Sequence, residues 1–270
     1  MSPSDGIPVV GERFERGRFM RSILSRISAS AAVLALASIG ATEIAQANII
    51  TNGNFTSPSV STSEALTNNP EFSPSKEISL TSWTAAGYSF VFTSPTATAN
   101  SSVSLYQVTA PPGGENFVAI DPSYKGPGSI SQTVNGLTKG DTYVLSFEYA
   151  GAQQSGYKGA TTEQWDVSLG GGATQDTPVI NLPNDSPNSA PFSGWQTETF
   201  KFVANGSSEV LEFLAAGGPA GTEPPFDLLA DVSLTQQTRT PVPEPVSLSL
   251  FGAGLVGAAA IRRRKKNKKI

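Results

Sequence analysis

The side chains of this chain that can do chemistry are acids, tyrosines and amides, because its 270 residues include no histidine and no cysteine. Ser-His-Asp triads, Cys-His dyads and zinc held by imidazole or thiolate are therefore excluded. What remains for catalysis is a pair of carboxylates, as in glycoside hydrolysis, where the two groups stand about 5 Å or about 6.5 to 9.5 Å apart. Glu148, Glu163, Asp166 and Glu212 are the available acids. Nothing in their local sequence buries one or raises its pKa, so the expectation is a protein that is not an enzyme. For ligand contact, Tyr124 and Tyr157 fall in loops, while Glu148, Gln164 and Asp166 take outward positions on strands. A tyrosine offers an apolar ring and a polar tip together.

Strands must position these groups. Between Asn48 and Arg239 short alternating runs recur, separated by Gly, Pro, Asn and Ser clusters, and helical periodicity is missing. Strands are expected at 48–52, 77–83, 88–93, 102–108, 116–120, 129–134, 142–149, 164–169, 196–203, 209–214 and 227–235. That number of short strands predicts an all-β, two-sheet jelly-roll sandwich. In 143–149, Tyr143, Leu145, Phe147 and Tyr149 share one face, and in 164–169 Trp165, Val167 and Leu169 do. These are core positions. Trp195 has the opposite parity to Phe200 and Phe202, which predicts a bulge or a change of face. Long loops are expected at 55–76, 110–114, 170–194 and 215–226.

Both ends of the chain read as addresses. Val242-Pro243-Glu244-Pro245 precedes a sixteen-residue apolar run, Val246 to Ile261, and then seven cations between Arg262 and Lys269. At roughly 1.5 Å per residue the run spans about 24 Å as a helix, a little short of a ~30 Å hydrocarbon core, with its basic end cytoplasmic. The order of parts resembles the PEP-CTERM protein-sorting signal of Gram-negative bacteria. That resemblance implies a transient inner-membrane anchor, processing near Pro243, Glu244 and Pro245 by an exosortase-type enzyme, and delivery to the cell surface or extracellular matrix. At the other end, Arg21 and Arg26, an apolar stretch to Ile39 and then Ala45-Gln46-Ala47 make a secretory signal that signal peptidase would cut before Asn48. Translation from Met20 would make this signal compact, whereas from Met1 it carries a long polar leader. The expected organisation is a signal peptide at 1–47, a sandwich at 48–235, a linker at 236–242 and the sorting signal at 243–270.

Residues 48–245 hold six Lys and Arg against eighteen Asp and Glu, a net charge of −12, whereas the whole chain carries −4. Such an acidic surface repels phosphate backbones and excludes nucleic acid as an expected partner. With no cysteine, the exported part must hold together without disulfides.

Asn52-Gly53-Asn54-Phe55, Leu80-Thr81-Ser82-Trp83, the run from Gly128 to Val134 and the closing stretch from Asp227 to Leu234 follow one another in an order similar to the galactose-binding-like jelly roll of bacterial carbohydrate-binding modules. The resemblance implies that first and last strands are neighbours and that a structural Ca²⁺ takes Asp231 and an acid just after the opening motif. Thr56 stands where that acid is expected. A calcium site on Asp231 and backbone carbonyls would need another acid, such as Glu64. The combined expectation is a non-catalytic exported protein associating with extracellular polysaccharide. The alternatives are a structural or adhesive matrix protein without a defined glycan, and a carboxylate-based enzyme.

Overall fold

The computed structural model describes residues 46–60, 62–93, 103–113, 116–183, 192–219 and 224–237, with Gly252, Gly254, Leu255, Gly257, Ala258 and Arg262 of a C-terminal helix. Ala45, Pro243, Glu244 and Pro245, and with them most of both address segments, lie outside the described residues. The chain divides into two units, Ile44–Thr240 and a second made of Met1–Glu43 with Pro241–Ile270. Among the described residues no helix is long and apolar enough to cross a membrane.

The first unit is the expected all-β jelly-roll sandwich. Its strands are β1 (Glu64–Leu66), β2 (Glu77–Ile78), β3 (Thr84–Ala86), β4 (Ser89–Thr93), β5 (Asn116–Ile120), β6 (Ser129–Asn135), β7 (Thr142–Gln153), β8 (Thr161–Leu169), β9 (Gln175–Asp176), β10 (Ile180–Leu182), β11 (Gln196–Val203), β12 (Ser208–Gly218) and β13 (Pro225–Gln236). One sheet has the order β11-β7-β13-β5-β4-β1-β2, and the other β10-β8-β12-β6-β3 with β9 beside β8. Side-chain alternation locks the long strands in register, since β8 and the first part of β12 bury every second residue.

Between the sheets, Phe147 and Trp165 approach the ring of Phe213 edge-on, at 5.1 Å and 6.0 Å. Trp165 is fully buried, and its indole donates to the Leu228 carbonyl at 3.0 Å. Each such side chain contributes about 1.5–3 kcal/mol by burial alone.

The seven-stranded sheet has a second apolar layer on its outer face. β4, β5 and the first half of β13 do not alternate, because both of their faces are covered. Phe90, Phe92, Phe117, Phe226 and Leu228 point outward, roofed by Phe72, Tyr124, Phe192 and Trp195. Trp195 corrects the expected bulge: the β11 ladder is regular, and Trp195 precedes it on the outer side. Its ring meets Phe117 edge-on at 5.5 Å, and its Nε1 donates to the Thr109 carbonyl at 2.9 Å.

Other expectations need correction. Residues 48–52 form no strand; the segment is tied to the closing strand by Ile49 N donating to the Leu234 carbonyl and Leu234 N donating to Asn48 Oδ1, each at 3.0 Å. The 77–83 strand shrinks to β2, and the described part of 102–108 makes a single bridge from Leu105 to Gln154. β1, β9 and β10 lie inside stretches expected to be loops, and β3 was not expected.

Candidate functional site

At one end of the sandwich a turn brings Tyr124 onto Tyr88. Asp121 directly follows β5, and its Oδ1 accepts from the backbone N–H groups of Ser123 and Tyr124, both at 2.9 Å. This Asx-type turn sets the direction of Tyr124. The Tyr124 ring lies 4.8 Å from the Tyr88 ring, and its hydroxyl donates to Glu71 Oε1 at 3.1 Å. Lys125 pairs with the same oxygen and lies 5.4 Å over the Tyr124 ring. Tyr157, in the β7–β8 turn, is 41% exposed and near enough to Tyr88 to act on its ionisation. Burial first, then Tyr124, Asp121 and Tyr157, push the Tyr88 pKa up to about 12. Burial also raises Asp121, against the pull of the two N–H donors. The result is an aromatic surface with the Glu71–Lys125 pair at its rim.

The structure puts Tyr124 against Tyr88 and Tyr157 in the β7–β8 turn, and places the other three predicted contact residues on two other faces. Glu148 lies on the outer face of the seven-stranded sheet, where Thr197 Oγ1 donates to its Oε1 at 3.4 Å. Burial raises its pKa, and Asp231 adds to the effect. Gln164 and Asp166 lie on β8, on the outer face of the other sheet, so the two sets look away from each other. Gln164 Nε2 donates to the Thr177 carbonyl at 2.7 Å, and burial followed by Asp176 raises Asp166. The single outward face expected for Glu148, Gln164 and Asp166 is thus two faces. The carboxylates weighed for catalysis are similarly dispersed: Glu163 points into the core, and Glu212 shares the open face with Asp166.

Asp231 sits at the register shift of β13 with φ +49°, in an open groove of about 460 Å³ lined also by Asn48, Ile50, Asn52, Gly53 and Asn54. Gly53 is required there, since a Cβ would come within 2.0 Å of the Val232 carbonyl oxygen. Burial raises the Asp231 pKa and the Gly113 N–H lowers it. Thr56 Oγ1 donates to Asn54 Oδ1 at 3.0 Å. Among the described residues no three acids gather to hold a metal, and the charge of Asp231 reaches Glu148.

Sequence reasoning did not find Tyr88 or Asp227, and weighed Glu163 only as a catalytic acid, not as one of a buried pair. Both acids are buried between the sheets, with both Glu163 oxygens and Asp227 Oδ2 lacking a hydrogen-bond partner. Burial pushes Glu163 up to about 8 and raises Asp227 well above the usual range, Glu163 adding to the rise and the Gln164 N–H opposing it. The signal was present for Glu163, which shares the parity of Trp165.

The chain matches the PEP-CTERM protein-sorting motif at residues 241–265. No curated relative matches the chain. Among solved structures the chain is similar to TmCBM61, determined in complex with β-1,4-galactotriose, at 18% identity and TM-score 0.38, covering 71% of this chain and 100% of that one. It is similar to the CBM22-1 xylan-binding domain of Paenibacillus barcinonensis Xyn10C at 15% identity and TM-score 0.31, covering 66% and 94%. The N-terminal cellulose-binding domain of Cellulomonas fimi β-1,4-glucanase C is 16% identical with TM-score 0.29, covering 58% of this chain and 90% of its own.

Proposed function

We propose that this is an exported, non-catalytic protein of the cell surface or extracellular matrix that holds the producing cell's exopolysaccharide at the tyrosine end of its sandwich. The observation that carries the reading is the stacking of Tyr124 on Tyr88, with the Glu71 carboxylate and Lys125 ammonium at the Tyr124 edge and the exposed Tyr157 in the β7–β8 turn. A sugar ring has an apolar C–H face and a rim of hydroxyls, and a tyrosine surface with a polar rim complements both. Of the acids weighed for catalysis, Glu163 is buried in the core, Glu148 lies on the outer face of one sheet and Asp166 and Glu212 on that of the other, and none of them lines the tyrosine end.

The sorting motif supports export with a transient membrane anchor, released by an exosortase-type enzyme near Pro243, Glu244 and Pro245. Cleavage by signal peptidase after Ala47 would leave Asn48 first in the mature chain, and its side chain accepts from Ile50 N and Leu234 N. The test is co-sedimentation of the exported protein with the cell's own exopolysaccharide. Saturable binding that a simple sugar competes away is expected; its absence would overturn the reading and leave a structural matrix protein.

A further inference from the structure

We propose that Glu163, Asp227 and Thr161 form a buried site for a hard divalent cation, Ca²⁺ being the ion that suits it, distinct from the groove at Asp231. Glu163 Oε1 and Oε2, Asp227 Oδ2 and Thr161 Oγ1 are all buried and lack a hydrogen-bond partner. Leaving one such atom dry and unpaired is costly, and carboxylate oxygens are the most costly. The threonine hydroxyl adds a neutral oxygen to the two acids. It stands two residues from Glu163 on the same inward face of β8 and acts on its carboxylate, yet makes no hydrogen bond of normal geometry.

The opposite wall leaves space for this group. Gly151 pairs with Asp227 across β7 and β13, and a Cβ on it would come within 2.8 Å of Glu163 Oε2. Only a residue without a side chain lets the carboxylate in there. Charges reaching Asp227 come from Glu163 and Asp166 on β8 and from Asp121 after β5, and all are acidic. A dication would neutralise the two buried carboxylates together.

Protons are the competing solution, and the calcium titration below separates the two. Asp166 and Asp176 bond side chain to side chain, whereas Glu163 acts on Asp227 through its charge alone. A shared proton draws two oxygens to about 2.5–2.7 Å. A calcium ion instead sits about 2.3–2.6 Å from each oxygen and holds them apart. With two carboxylates the affinity belongs at the weak end, about 10⁻⁴ to 10⁻³ M, as in extracellular modules.

The test is thermal unfolding of the full chain at pH 7 in chelator and then in 10 mM Ca²⁺, for the unaltered protein, Glu163→Gln, Asp227→Asn and Asp231→Asn. Calcium is expected to raise Tm by about 3–11 °C in the unaltered protein and in Asp231→Asn. It is expected to leave Glu163→Gln and Asp227→Asn unmoved. No shift in the unaltered protein, or a shift kept in Glu163→Gln and lost in Asp231→Asn, would overturn the site. Should Glu163→Gln fail to fold, the titration of the unaltered protein and Asp227→Asn decide.

Discussion

The two sheets share one core and treat their outer faces in opposite ways. On the seven-stranded sheet a layer of Phe90, Phe92, Phe117 and Phe226 is roofed by Phe72, Phe192 and Trp195. The six-stranded sheet shows water a polar face of Ser131, Thr133, Gln164, Asp166 and Glu212, with Val210 and Leu214 exposed at 47% and 37%. Burying both sides of a sheet immobilises its strand ends, and the turns holding Tyr124 and Tyr157 leave from such ends. The open sheet contributes only β8, at the far end of the Tyr157 turn. The proposed ligand surface therefore belongs to the end of the roofed sheet and not to the broad polar face.

The largest effect should come where the sheets meet. Trp165→Ala leaves a cavity and orphans the Leu228 carbonyl, and should cost about 3–5 kcal/mol in denaturant unfolding. Next comes pH. Glu163 and Asp227 have folded pKa values above their unfolded ones, so the unfolded chain releases its protons first as pH rises. In chelator, stability should fall between about pH 5 and about pH 8. Glu163→Gln should flatten that slope, and added calcium should oppose it. A pH-independent Tm in chelator would contradict the pair's buried state.

Trp195→Ala tests the roof and should cost about 2 kcal/mol, since the ring covers Phe117. A change within about 0.5 kcal/mol would show that the covering layer is not structural. At the foot of the scale, Gln164→Ala on the open face should alter stability by no more than about 0.5 kcal/mol.

Strong periodicity made the long strands legible. β5 and β11 match their expected bounds, and the inward sets of β7 and β8 are core. The short strands β1, β3, β9 and β10 have two or three residues each, too few to show a period, and are held by their neighbours. The site was legible in part for a related reason. Parity tells which side of its own strand a residue occupies, so Glu148 and Gln164 were both correctly outward. Which sheet a strand joins depends on pairing with distant segments, and that placed the two on opposite surfaces. Trp195 shows the same limit: its odd parity was visible, but the second apolar layer that receives it is built from segments far away in the chain.

The most direct test compares the two faces in one binding assay. The unaltered protein, Tyr157→Ala and Gln164→Ala would be titrated with the producing cell's exopolysaccharide under identical conditions. Loss of the exposed tyrosine ring should weaken binding about tenfold, ~1.4 kcal/mol, while Gln164→Ala binds like the unaltered protein. Full binding by Tyr157→Ala together with weakened binding by Gln164→Ala would place the ligand on the open sheet and contradict the account.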